Sequence, residues 1–200
     1  MCYKVGDMVV YPRHGAAKVE AITERTIKGV SREYIQLRVL SADSLVINVP
    51  MDNIKKVGIR DIVDGREVAE VFKILRTPIV EEEMNWSRRY KLNVEKIATG
   101  DVNQIAEVVR DLSQRDVDEH GLSAGEKRML VRARGILTSE IALSEDLDEE
   151  NAQRLLDVNL GYLEPEAGDE EYHTSAPEEP VTDTLARLAN EKKAKKAKKS

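Results

Sequence analysis

The spacing of apolar residues changes once along this chain, and the change limits what it can fold into. Up to about residue 58 the apolar positions come in short runs broken by turn residues. Met8–Tyr11 is stopped by Pro12, and Gly15 marks a turn. A longer strand pattern covers residues 17–27. Lys28-Gly29 then reverses the chain into residues 33–40, where Tyr34, Ile35, Leu37 and Val39 favour extended structure. A fourth strand, 45–49, is closed by Pro50. Strands this short, on tight turns, predict a small β-barrel rather than a sandwich.

From about Gly65 the period becomes helical. Val68, Val71, Phe72 and Leu75 share a face until Pro78 ends the helix. The acidic turn Glu81-Glu82-Glu83 leads to Asn85-Trp86-Ser87, after which Tyr90, Val94 and Ile97 form a stripe closed by Gly100. Asp101 caps a helix lined by Ile105, Val108, Val109 and Leu112. Ser123 begins another running to about residue 143, and a last helix runs from near Asp148 to Gly161. The predicted architecture is α+β by domains: a β-barrel over residues 1–58, then an all-α domain over 59–163. Residues 164–180 carry seven acids and no Lys or Arg, and the last nine residues hold six lysines. A segment so poor in apolar residues cannot offset its ordering entropy, so 164–200 is expected to be a disordered acidic-then-basic tail.

Cys2 is the only cysteine, which excludes an intramolecular disulfide and a cysteine-based metal site. The first residues lack the apolar core of a signal peptide, and no apolar run reaches the roughly 20 residues that span a bilayer. A cytoplasmic chain with no membrane association is expected.

Gly121-Leu122-Ser123-Ala124-Gly125 spells G-x-S-x-G. A nucleophile elbow needs a buried strand before the serine, and here the preceding residues are charged and helical. Glu126, three residues on, instead makes Ser123 half of a capping box. His14, His120 and His173 have no second ligand at zinc spacing, and no Gly-rich phosphate loop is present. Neither catalysis nor a cofactor is expected.

The net charge of −6 is unpromising for binding DNA, but local charge differs. Between residues 84 and 99, Arg88, Arg89, Lys91 and Lys96 face only Glu95, a net of +3. Between 123 and 140, Lys127, Arg128, Arg132 and Arg134 face Glu126 and Glu140, a net of +2. Both clusters begin at helix N-termini, which favour phosphate, although solvated helix faces would look the same. Trp86 is the only tryptophan and sits just before a helix start. With Ser87 as cap, a hydrophobic staple would need an apolar residue at Lys91, so the staple fails. A core ring reached from a loop and a groove-inserting wedge flanked by cations are the two remaining readings.

The run Asn85-Trp86-Ser87-Arg88-Arg89-Tyr90-Lys91 resembles the DNA-facing segment of the CarD (CdnL) family of bacterial transcription regulators. The likeness continues through Gly100-Asp101-Val102-Asn103 and Gly121-Leu122-Ser123-Ala124-Gly125-Glu126-Lys127-Arg128-Met129-Leu130. It includes Val5-Gly6-Asp7, Val9-Val10-Tyr11-Pro12, His14-Gly15 and Thr26-Ile27-Lys28-Gly29, covers about residues 1–160, and looks actinobacterial. The resemblance implies a Tudor-like (SH3-like) domain that docks on the lobe of the RNA polymerase β subunit. It further implies a helical domain that brings Trp86 to the minor groove of promoter DNA at the upstream edge of the bubble. Arg88, Arg89 and Lys91 would lie near the backbone, with Lys127 a further phosphate contact, and the open complex would be stabilised. Related members carry two arginines toward polymerase. Arg25 matches the first, while Asn48 stands where the second is expected, beside an apparent insertion near Ala42. A monomer is expected. A polymerase-independent, nucleoid-type DNA binder is the alternative.

Overall fold

The computed structural model describes residues 3–27, 29–40, 45–79, 85–117, 121–166 and Asp169. Cys2, Lys28, the position near Ala42, the acidic turn at 81–83, His120 and the tail beyond Asp169 lie outside the described residues.

The N-terminal region is a five-stranded antiparallel sheet of β1 (Met8–Tyr11), β2 (Gly15–Ile27), β3 (Val30–Val39), β4 (Val46–Pro50) and β5 (Arg60–Asp61), in the order β4-β3-β2-β1-β5. Alternation along β3 explains its placement. Ile35, Leu37 and Val39 are fully buried, while Tyr34, Gln36 and Arg38 face outward. A one-residue slip would exchange the two sets, so the register is strongly specified. A bulge between Val19 and Ala21 bends the long β2 strand. The fifth strand is too short to read from sequence; a 3₁₀ turn and the short helix α1 (Ile54–Val57) carry the chain to it.

Five longer helices follow among the described residues: α2 (Gly65–Arg76), α3 (Trp86–Thr99), α4 (Val102–Val117), α5 (Ala124–Ser144) and α6 (Glu149–Asn159). The expected apolar faces of α2 and α4 meet in one core with Ala133, Ile136, Leu137 and Ile141 of α5 and Leu155 and Leu156 of α6. Burying each Val, Leu, Ile or Phe side chain there contributes about 1.5–3 kcal/mol. Asp64, Asp101, Ser123 and Asp148 each accept backbone N–H bonds at a helix start.

Helix α3 departs from expectation. Of the predicted stripe only Ile97 is buried; Tyr90 is half-buried and Val94 is 43% exposed. The inward face is Arg89, Asn93 and Ile97. The cap also shifts from Ser87 to Asn85, whose side chain accepts the Arg88 N–H at 3.1 Å.

The two regions touch at the β1–β2 turn. Gly15, at φ +78°, lies so close to α5 that an added Cβ would come within 3.2 Å of the Ile136 backbone. From β5, Arg60 donates to the Gly100 carbonyl at the end of α3 and to Glu140 on α5, both at 2.9 Å. Beyond Leu163, Asp169 is buried against Arg154, with bonds of 2.9 and 3.0 Å. The expected tail therefore has an anchored beginning.

Candidate nucleic-acid interface

The N-termini of α3 and α5 meet at one end of the helical domain. Asn85 caps α3 in extended conformation, which makes Trp86 the first helical residue. Tyr90, four positions on, then lies beneath it, and the rings stack with centroids 5.5 Å apart and planes at 29°. The indole N–H donates to the Ser123 hydroxyl oxygen at 3.2 Å. Trp86 is nevertheless 48% exposed, which rules out the core reading of its ring.

Ser123 is held in turn. Its hydroxyl donates to Glu126 Oε2 at 2.7 Å and accepts the Glu126 backbone N–H at 3.3 Å, while its own N–H donates to Oε2 at 3.0 Å. With the indole bond, the hydroxyl uses one donor and both acceptor positions. That arrangement explains the G-x-S-x-G spelling: the serine caps a helix and anchors a ring.

Arg89 closes the chain of contacts. Its Nε and Nη2 donate to Glu126 Oε1 at 3.1 and 2.9 Å, and both residues are almost completely buried. Burial pushes the Glu126 carboxyl up, but bonds from Ser123 and Arg89 outweigh this and hold it below the usual glutamate range. Arg89, which the resemblance sets near a DNA backbone, is here turned into the domain and paired with Glu126. A buried carboxylate needs a paired cation, and Arg89 on the facing helix supplies it.

Arg88, Lys91 and Lys127 remain exposed. Lys91 is 80% exposed with Glu95 3.8 Å away, a contact worth little in water. Lys127 stands one turn beyond Ser123 on α5. These cations and the ring share the same end of the domain. Sequence reasoning missed that Ser123, Glu126 and Arg89 form one unit with Trp86. The capping-box spacing was visible, but the 37-residue separation across two helices was not.

The other expected pair lies on the outer face of the sheet. The Arg25 guanidinium crosses β3 over the Tyr34 ring, 5.5 Å from its centroid, and donates to Asn48 Oδ1 on β4 at 3.2 Å. The two positions thus share one surface patch. Among the described residues no group of three or more His, Cys, Asp or Glu is placed to hold a metal, and no helix is long and apolar enough to cross a membrane.

Two family models match. The model described as CarD-like/TRCF RID domain covers residues 3–63, and that described as CarD, C-terminal domain covers residues 70–157. The chain is also 34% identical over 147 residues to YdeB of Bacillus subtilis (strain 168), a protein named as a candidate transcription factor; the match spans 74% of this chain and 95% of that protein.

Proposed function

This chain belongs to the CarD family of transcription factors, and from that premise we propose that it binds RNA polymerase and holds the promoter open complex. The N-terminal domain, which β5 carries to Asp61, docks on the lobe of the polymerase β subunit through the patch of Arg25 and Asn48. The helical domain that follows brings Trp86 to the minor groove at the upstream edge of the bubble. Arg88, Lys91 and Lys127 neutralise nearby phosphates. No reaction step and no cofactor enter this role.

The observation that carries the reading is the state of Trp86. Its ring is half exposed yet fixed at both ends, by stacking on Tyr90 and by the bond to Ser123. A side chain ordered before it binds avoids an immobilisation cost of about 0.5–1.5 kcal/mol. A rigid apolar ring beside cations suits a kinked or melted groove better than an intact duplex. Only such a difference in affinity shifts the closed–open equilibrium. Tethering to polymerase raises the local concentration, so a chain of net charge −6 needs little intrinsic affinity for DNA.

The test is the lifetime of the open complex formed by polymerase with and without the protein. Wild type lengthens it, and Trp86→Ala loses the effect while still binding polymerase. A variant that prolongs the lifetime as well as wild type sinks the reading.

A further inference from the structure

One feature of the helical domain is not used by the wedge. A cleft of about 420 Å³ opens between α3, α5 and the β1–β2 turn. Its floor is apolar, formed by Tyr90, Ile97 and Met129, with the half-exposed Val94 at the rim. Three exposed arginines stand around it, Arg13 from the turn and Arg128 and Arg132 from α5, and no acid among the described residues lines it. None of the three has an ion-pair or hydrogen-bond partner among the described residues. Unpaired like charges that converge in an acidic protein await an anion.

Two further observations point the same way. Arg13 sits at φ +68°, a left-handed conformation that glycine adopts freely and arginine rarely does. The strained turn thus holds a cation at the mouth of the cleft. Beside it, burial, then Arg132, then Arg13 hold the His14 imidazole below its ordinary pKa, so the positive field reaches the neighbouring side chain.

The cleft begins where the wedge ends. Tyr90 stacks on Trp86 and also walls the cleft, its ring so close to Gly125 that a Cβ there would meet Cε2 at 3.1 Å. We propose that the cleft receives a nucleotide of an unpaired DNA strand, its ring on the apolar floor and the flanking phosphates held by Arg13, Arg128 and Arg132. The proposal rests on the wedge reading, since a base step opened by Trp86 leaves a base beside this floor. Stacking on an aromatic wall with cations along the backbone is how single strands are held without sequence preference. Arg128 and Arg132 stand one helical turn apart, about 6 Å, and Arg13 comes from another domain, so the three reach separate phosphates. A free nucleotide polyphosphate is less suited. Among the described residues there is no acid cluster for its magnesium, and the sequence has no Gly-rich loop to cradle it.

The experiment uses the full chain at low salt without polymerase. A labelled oligothymidylate of about 12 nucleotides is titrated by anisotropy, with emission from the sole tryptophan as second readout. Wild type binds this strand more tightly than a duplex of equal length. Arg128→Ala with Arg132→Ala weakens binding about tenfold and lowers the salt slope by about 0.7 per lost phosphate contact. Val94→Glu, at a half-exposed position that spares the fold, places an acid in the cleft and weakens binding about fivefold. The proposal is overturned if these variants bind like wild type, if duplex binds as tightly as the single strand, or if thymidine monophosphate competes at the oligonucleotide's own concentration. Open-complex lifetime with Trp86→Ala decides the wedge reading separately, so either can fail alone.

Discussion

Trp86 has half its surface in solvent and two contacts that hold it still, and this combination sets what its removal does. A buried tryptophan cut to alanine costs about 3–5 kcal/mol. Here the loss is the stacking and one exposed hydrogen bond, so Trp86→Ala costs only about 1 kcal/mol of stability. Unstacking a base step takes a few kcal/mol, of which losing the wedge removes about 1–2 kcal/mol, or roughly tenfold in open-complex lifetime. Thermal melting and a lifetime assay on the same variant separate the two effects. Melting that falls by the full core amount would contradict the half-exposed ring. Glu126 gives a second test at this scale. Its carboxyl titrates below the usual glutamate range, so its contribution is complete above about pH 4.5 and is lost only as pH falls through the lower folded value. Trp86 emission is therefore flat from neutral pH to about 4.5 and changes below it. Glu126→Gln, which cannot ionise, is altered already at neutral pH and shows no such step.

At the scale of elements, the strands β2, β3 and β4 assemble a patch that no single segment holds. Arg25 has an uncharged partner in Asn48 and a ring beneath it in Tyr34. Arg25→Glu removes a weak, exposed contact and changes stability by within about 0.5 kcal/mol. If the patch docks on polymerase, the same change weakens a polymerase pull-down strongly through charge reversal. Asn48→Arg supplies a second cation and tightens the pull-down; equal or weaker capture would show that docking uses another surface. Helix α3 shows the converse. Its sequence offers an apolar stripe, yet the helix turns Arg89 and Asn93 inward, because the Glu126 carboxylate buried at the head of α5 must be paired. Rotating the stripe outward leaves Val94 and Tyr90 at the cleft.

For the whole molecule, the junction between sheet and helices is small and depends on close approach. Arg60 is its main polar clamp, with the Gly100 carbonyl and Glu140 as partners. Glu140 is wholly buried, and burial raises its pKa despite the opposing pull of Arg60. Arg60→Ala leaves that carboxyl without its cation. Because the Arg60 side chain is 30% exposed, the cost is about 2 kcal/mol rather than the 3–5 kcal/mol of a fully buried pair. The sign of the pH dependence follows from the raised pKa: charging Glu140 costs more as pH rises, so the loss is largest at neutral pH and shrinks toward about pH 4.5. Melting of both proteins across that range checks this, and an equal loss at every pH would show that Glu140 is not the cause.

The sequence by itself determined the order of the parts. The alternating run ending in Val39 could only be a half-buried strand, and Val68, Val71, Phe72 and Leu75 could only be one face of a helix, because these periods follow from backbone geometry. Asp101, Ser123 and Asp148 announced helix starts for the same local reason. The single tryptophan with its cations, and the motifs around it, pointed to the family. Tertiary structure alone decided which cations remain outside. Arg88, Arg89 and Lys91 are equivalent in sequence, and only the buried Glu126 37 residues away from Arg89 draws it inward. It also decided that Ser123 fixes Trp86, that Arg25 reaches Asn48, and that three arginines from two domains meet over one cleft. Those pairings depend on how desolvated charges find partners across elements, and spacing along the chain carries no record of that.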